Sequence, residues 1–572
     1  MATPPARKPA SIVYGVDEAP PPAVTVLSGF QHAGLISIFL LYPLLLSREG
    51  GLSVEQTSDI LSLTMLVLGI GAILQSLPRG HVGARYLCPP VCTAAYLDPA
   101  LLAVKTGGMA LVFGMTAFGG LIEVALSRFL RPLRPYFPPE ISGFVVTLIG
   151  IGIGILGLRS LLGVGAAHPV DSSQVTVAAV TLAAMVGFSV WTQGAPRVFC
   201  ALIGMALGYV AAGLTGLLTR ADFDTVAGAP LVYLPSIARY SWSWDAGLVI
   251  PFLVAALATC VRGIGDVTIC QKVNDVDWVR PNMRSVSGGV LANGVTNMLA
   301  GLFGAHAVST FTSSVGLAAA SGVTSRRVGY AIGGILILLA FLPKVSAVLL
   351  VMPRPVIGAV LLFTAAIIFV NGLQIITSRL LDARRTFVIG LSFMAGIAVD
   401  LIPGAFAGAP QSIQPLLASS LVFGTILALM LNAVFRLGLR RAHQLVIDPA
   451  RVEPREIEEF MEASGGAWGA RRDVIDRASF DLTQSIETIV EGCAPKGPLE
   501  IVASFDEFNL DLRVTYMGPP LELPDKRPSN EEIMASEAGQ RRLAGFMLRR
   551  YADRVSATHK GGRSTILFHF DH

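Results

Sequence analysis

Twelve apolar stretches of this chain, at roughly 24–46, 56–77, 107–128, 139–161, 173–192, 197–218, 247–269, 286–303, 327–351, 356–374, 386–402 and 414–436, each have the length of a bilayer-crossing helix. Inside lipid every backbone amide and carbonyl must be satisfied within the protein, so segments of this kind are confined to helices. A single soluble core has no room for so many. Charged residues make up 14% of the 572 positions, against about 25% in soluble proteins. The chain is therefore expected to be an all-α polytopic membrane protein.

Two further stretches, about 86–103 and 307–320, are shorter and rich in Pro, Gly, Ser and Thr. Irregular backbone at membrane depth is tolerated only where it is shielded from lipid, so both are counted as half-inserted elements, which makes fourteen segments. Loops after even-numbered segments carry Arg79, Arg85, Arg128, Arg131, Arg134, Arg197, Lys272, Arg280, Arg284, Arg326, Arg327, Arg379, Arg384 and Arg385. Those after odd-numbered segments carry Arg48, Lys105, Arg159, Arg220, Arg239 and Arg354. The positive-inside bias places both termini in the cytoplasm and the chain in the cell's inner (plasma) membrane. Phe137-Pro-Pro-Glu-Ile-Ser-Gly143 opens the fifth segment and Met352-Pro-Arg-Pro-Val-Ile-Gly358 opens the twelfth. An echo at about 215 residues, with an odd number of segments per half, points to a 7+7 inverted repeat.

The most expensive residue in these segments is Arg262, in Thr259-Cys-Val-Arg262-Gly-Ile-Gly-Asp266. A guanidinium keeps its charge, and at the centre of a membrane helix it costs roughly 2.5–3.5 kcal/mol. Asp266 lies four residues on, on the same helical face. The pair is either a structural ion pair or part of a solute pathway. The six cysteines form no CxxC pair, so neither a zinc site nor a disulfide framework is expected. A net charge of +4 is too small to point to nucleic acid. Met1 to Ala23 lacks the apolar core of a signal peptide and reads as a disordered cytoplasmic N-terminus over 1–23.

Past Arg436 the composition becomes soluble. The organisation expected is a transporter domain over 24–440, a linker helix over 441–465 ending in a flexible Ser464-Gly-Gly466 break, and a small cytoplasmic α+β domain over 466–572. Asp473 to Val490 has one apolar face. Leu499 to Ser504, Leu510 to Tyr516 and Ser564 to Phe570 alternate as strands.

Several of these motifs, in order, resemble the nucleobase–ascorbate transporter family (xanthine/uracil permeases). Ser28-Gly-Phe-Gln31-His32 resembles its first-helix Gln-His motif, and Pro90-Val-Cys-Thr93-Ala-Ala-Tyr96-Leu-Asp-Pro99 its third segment. Arg262-Gly-Ile-Gly265-Asp266 is similar to the eighth-helix Glu-x-x-Gly-Asp pattern. Ser313-Ser-Val-Gly316-Leu-Ala-Ala-Ala-Ser321-Gly322 is similar to the tenth-segment signature. The resemblance implies a core domain that holds the solute, a gate domain against which it moves in elevator fashion, and a dimer. It also implies no enzyme activity and no cofactor. Substrate contact is expected from Arg262, Ser313, Thr312, Ser314, Phe311, Tyr96, Thr93 and Gln31. Asp266 and His32 are the expected coupling residues; Arg262 favours the charged form of Asp266, so proton symport stands beside facilitated diffusion or exchange.

The chain departs from the family where the solute is gripped. The eighth-segment Glu is Arg262, the tenth-segment Gln/Glu is Ser313, and the following Asn is Ser314. A carboxylate accepts hydrogen bonds and a guanidinium only donates them. Electron-rich or anionic solutes such as urate or xanthine anion therefore fit better than uracil. A sulfate-permease-like anion transporter is one alternative. A non-transporting sensor that signals through its tail is another.

The tail resembles the histidine-kinase-like ATPase fold of anti-sigma factors. Asp481-Leu-Thr-Gln-Ser485 stands where that family has Glu-x-x-x-Asn, and Tyr516 where it has the adenine-binding Asp. With those residues replaced, the resemblance implies a degenerate module that regulates, stabilises a dimer or meets a cytoplasmic protein.

Overall fold

The computed structural model describes residues 7–133, 138–162, 171–237, 239–278, 281–378, 381–406, 408–410, 414–417, 419–435, 442–505, 509–524 and 526–572. Arg134, Phe137, Arg280, Arg379 and Arg436, singled out above, lie outside them. The chain forms two compact units. One comprises Met1–Phe137, Ser142–Leu373 and Ser392–Leu427, and the other Pro138–Ile141, Gln374–Leu391 and Ala428–His572.

Among the described residues eight helices are long and apolar enough to cross a membrane, and a ninth span is a pair bent by 78°. The elements used below are α1 (Pro22–Ser37), α2 (Leu41–Glu49) and α3 (Val54–Ser76), then β1 (Pro90–Cys92), α4 (Leu97–Leu133) and α5 (Pro139–Leu162). They continue with α6 (Ser172–Trp191), α7 (Cys200–Leu214), α8 (Val249–Asn274) and α9 (Met283–Phe303). After β2 (Val308–Thr310) come α10 (Thr312–Ser321), α11 (Arg326–Ala340), α12 (Pro343–Leu350) and α13 (Arg354–Thr377). Last are α14 (Ala383–Leu401) and α15 (Ser420–Phe435). The stretch expected as one helix over 327–351 is the bent pair α11–α12, because Pro343 cannot continue the hydrogen-bond ladder. The stretch expected at 197–218 holds the end of a four-residue helix, Ala195–Val198, and the 15 residues of α7.

Small residues let these helices touch backbone to backbone, the packing that replaces hydrophobic association inside lipid. Along α4 and α9, a Cβ on Gly120 would come within 2.5 Å of the Met298 amide, and one on Gly301 within 2.4 Å of the Ala117 amide. The α3–α11 pair repeats this, with Gly69 against the Gly333 carbonyl at 2.8 Å. Along α5 and α13, Gly150 meets Phe369 and Gly157 meets Gly358, so these helices run antiparallel.

The two interrupted segments meet. β1 pairs antiparallel with β2, Pro90 opposite Thr310 and Cys92 opposite Val308. Gly304, with φ of 86°, ends α9 in a left-handed turn that only glycine adopts without strain, and the chain folds back into β2. Gly107 and Gly108 break α4 into a half-helix and a span.

Of the free tail expected over 1–23, the described part, from residue 7, is held against the rest of the unit. Val13 and Tyr14 donate backbone bonds to the Gly322 carbonyl, and Thr324 and Arg326 donate back to Tyr14 and Val16. Arg326 also pairs with Asp17 at 2.5 Å. Backbone pairing orders the segment although its composition carries no helix or strand signal.

The second unit contains a five-stranded antiparallel sheet in the order β3-β4-β5-β7-β6. Its strands are β3 (Ala442–Ile447), β4 (Leu499–Phe505), β5 (Asn509–Met517), β6 (Arg554–Lys560) and β7 (Arg563–Asp571). Helices α16 (Pro454–Trp468) and α17 (Arg472–Cys493) precede β4. Leu499, Ile501, Leu510, Leu512, Val514, Ile566 and Phe568 share a core with Val474, Ala478, Leu482 and Ile486 of α17. The linker helix expected over 441–465 is thus a correction, because 442–447 is a strand of the sheet. Ser464-Gly-Gly466 is not a break either. It lies inside α16, where Gly466 sits against Asp382 and its carbonyl accepts a hydrogen bond from Arg385 Nε at 3.2 Å. Arg385 also makes an ion pair with the buried Glu140.

Two predictions follow from packing. Gly294→Val puts a side chain 2.7 Å from the Val124 amide. It should cost about 1–3 kcal/mol as overpacking, read as a lower thermal midpoint of the purified protein. In the second unit Asp481 is fully buried and, among the described residues, neither carboxylate oxygen has a hydrogen-bond partner. Burial pushes its pKa up to about 7, opposed by Arg477 and reinforced by Asp553. Because the folded pKa is raised, this group's stabilising contribution is full below about pH 4 and is lost as pH rises to about 7. Asp481→Asn should flatten that decline in a thermal-midpoint series across pH 4–8. An unchanged slope would refute the assignment.

Candidate functional site

Arg262 lies in the middle of α8 with its side chain only 17% exposed. Its Nε is 3.8 Å from Asp266 Oδ2, a charge contact one helical turn long. Its guanidinium stands over the Phe311 ring at 5.1 Å from the centroid, a cation–π distance. Phe311 in turn packs edge-on against Phe39. Among the described residues Arg262 makes no hydrogen bond, so its five N–H donors remain available. A Cβ added to Gly265 or to Gly316 would meet nothing within 4 Å, so open space borders both helices beside it.

The start of α10 completes this side of the site. Its N-cap is Phe311, which has no side-chain acceptor, so the first amides of the helix carry no cap. A bare helix N-terminus favours electron-rich groups. Thr312 Oγ1 donates to Asp266 Oδ1, which ties the half-helix to α8. Among the described residues, Asp266 Oδ2, Thr310 Oγ1, Ser314 Oγ and Asn293 Nδ2 are buried without a hydrogen-bond partner. Gly263 touches both Asn293 and Thr310, because a side chain there would lie 3.4 Å from Asn293 Nδ2 and 3.8 Å from Thr310 Oγ1. Unpaired buried polar atoms cost about 1–3 kcal/mol each, and a polar solute is one means of satisfying them.

Of the residues singled out in the sequence, Arg262, Asp266, Phe311 and Thr312 are in direct contact. Ser313 is half-buried one position on. His32 is buried and its two ring nitrogens face the carbonyls of Ser28, at 3.1 Å, and Ser314, at 3.2 Å, so it bonds one helix to another. Gln31, next to it on α1, is half-buried. Thr93 is fully buried in the crossing, where its carbonyl faces His306 Nε2 at 3.0 Å and its amide donates to Ala307.

Tyr96 belongs to a different cluster. It is fully buried, its ring is edge-on to Phe252, and its hydroxyl donates to Glu123 at 2.8 Å. Glu123 also accepts from Thr259 at 2.6 Å and from Asn297 at 3.0 and 3.1 Å. Asn297 in addition bridges the Val308 amide and carbonyl. One carboxylate thus joins α4, α8, α9 and the ladder. Sequence reasoning passed over Asn293, Asn297 and Thr310. The available signal was the pair of asparagines at i, i+4 on an otherwise apolar span.

Membrane-crossing helices, two interrupted segments crossing at depth and a cation set beside open space define a multi-pass membrane permease for a small solute. A permease family model, that of the xanthine/uracil permeases, matches residues 23–404, and the chain belongs to that family. It is a transporter and not an enzyme. A putative purine permease of Clostridium perfringens is 29% identical over 74% of this chain and 93% of its own length. The xanthine permease XanP of Escherichia coli is also 29% identical, over 74% of this chain and 94% of its own. The uric acid permease PucJ of Bacillus subtilis is 26% identical over 71% and 90%. Among solved structures, murine Slc26a9 in its inward-facing state gives a TM-score of 0.49 at 12% identity, over 76% of this chain and 72% of that one.

The Glu123 cluster makes a direct test. A glutamine there keeps the volume but turns an NH2 group toward donors. Glu123→Gln should lower the thermal midpoint and abolish uptake together. Wild-type stability in the variant would mean that the network does not hold the site.

Proposed function

We propose that the protein carries planar, electron-rich nucleobases of the xanthine and urate class, in neutral or anionic form. The observation that supports this best is Arg262, which Asp266 holds at 3.8 Å without consuming its donors. A guanidinium fork donates to the carbonyl edge of an oxidised purine, and Phe311 offers a ring against the same cation. Thr312, Ser313 and Ser314 supply hydroxyls, Thr312 and Ser313 add helix-end amides, Thr93 and Gln31 shape the surrounding wall, and Tyr96 acts from behind it through Glu123. The names of the relatives, purine, xanthine and uric acid permeases, agree with this class.

Transport is by an elevator-like shift of a core domain, in fourteen segments arranged as a 7+7 inverted repeat. The helix contacts support the repeat. With the segments numbered as in the sequence, α4 and α9 are the fourth and ninth, and α3 and α11 the second and eleventh. A shift of seven exchanges one close pair for the other. The ladder and the α5–α13 pair, third with tenth and fifth with twelfth, map onto themselves. Protons are the proposed coupling ion, with Asp266 and His32 the coupling residues. The protein is proposed to act as a homodimer in the plasma membrane with both termini cytoplasmic. Its C-terminal domain, a degenerate ATPase-like module, is proposed to receive a cytoplasmic regulator.

Competition uptake into proteoliposomes tests the substrate class. Wild-type protein should take up labelled xanthine and urate ahead of uracil. Arg262→Glu restores an acceptor and should shift the preference toward neutral bases by roughly tenfold, the effect of exchanging one buried polar contact. An unchanged ranking in the variant would overturn the role given to Arg262.

A further inference from the structure

A second basic site lies away from Arg262, where α4 approaches its end and α9 begins. A cavity of about 400 Å³ there is lined by His81, Arg128 and Arg284, with Ser127, Met283 and Leu291. Among the described residues no carboxylate lines it. Among the described residues neither Arg128 nor Arg284 has an acidic partner, and both are exposed. The α4–α9 pair builds the floor, because Ser287 donates to the Ser127 carbonyl and draws the helices together just before both arginines. Two guanidiniums held across a concavity, with no counter-charge, form a receptor for a phosphate group.

The surface beside the cavity narrows the source of that phosphate. Leu121 and Phe129 are 53% and 60% exposed, and with the exposed Ala125 they form a stripe at i, i+4, i+8 along α4. An apolar track that ends at a basic cavity matches an acyl chain below a charged headgroup. We propose that the cavity binds the phosphodiester of an anionic phospholipid, with a chain lying along Leu121, Ala125 and Phe129. Soluble phosphate shares the headgroup chemistry but has no use for the stripe.

The test uses the purified full-length protein in a neutral detergent, titrated with phosphatidylglycerol, phosphatidylcholine or inorganic phosphate, with bound lipid counted by native mass spectrometry. The wild type should retain phosphatidylglycerol in preference to phosphatidylcholine, and millimolar phosphate should not displace it. Arg128→Gln with Arg284→Gln should weaken phosphatidylglycerol roughly thirtyfold, the loss of two surface cations at about 1 kcal/mol each. Lys272→Gln with Arg327→Gln removes the same charge from other exposed positions and should change nothing. All four side chains are exposed, and a thermal midpoint without lipid checks that each variant is folded. Equal retention by the wild type and the Arg128/Arg284 variant overturns the proposal, as does equal loss in both double variants. Displacement by inorganic phosphate overturns the lipid as ligand.

Discussion

The bilayer offers no water to a broken helix, and the architecture of the first unit answers that constraint. Two segments leave helical geometry at membrane depth, and each would carry unsatisfied amides and carbonyls alone. They satisfy one another instead, residue for residue, in a three-residue ladder. Asn297 extends the pairing by bonding both backbone groups of Val308, and His306 covers the Thr93 carbonyl. The ladder is too short to be stable by itself. It depends on the surrounding helices, and the half-helix carrying Thr312, Ser313 and Ser314 depends on it.

Burying Arg262 imposes a second condition. A single contact at 3.8 Å offsets little of the cost of placing a guanidinium in a membrane protein, so the stack on Phe311 and the open space beside Gly265 share the task. Glu123 is the reverse case. Hydrogen bonds from Tyr96, Thr259 and Asn297 satisfy it fully, with no cation beside it. The two buried groups therefore divide the labour: the carboxyl of Glu123 is saturated and structural, and the guanidinium is left with free donors.

Much of this was legible in the sequence, and the exceptions have physical causes. The spans could be read because hydrocarbon tolerates only long apolar helices, and Arg262 and Asp266 because charge inside such a helix needs a reason. The partners of Glu123 could not be read. Thr259 and Asn297 lie more than a hundred residues away, and only the folded chain brings them together. Tyr96 was expected to touch the solute because it lies on a broken segment, a position that says nothing about which way the ring turns. In the soluble domain the central strands alternate and were recognised. The missed strands, 442–447 and 554–560, are the two edges of the sheet. The strand at 554–560 is almost wholly exposed and has no inner face to write a period into its sequence, while the one at 442–447 turns Leu445 and Ile447 to the core but is only six residues long.

The glycine contacts between α4 and α9 carry a mechanical consequence. Helices meshed at backbone distance cannot ratchet past each other without prising the seam open along its whole length. Glu123 bolts a third helix onto the same seam through Thr259. Under the proposed elevator-like shift, compliance would have to come from elsewhere, at joints such as the glycines that fracture α4 or the proline elbow between α11 and α12.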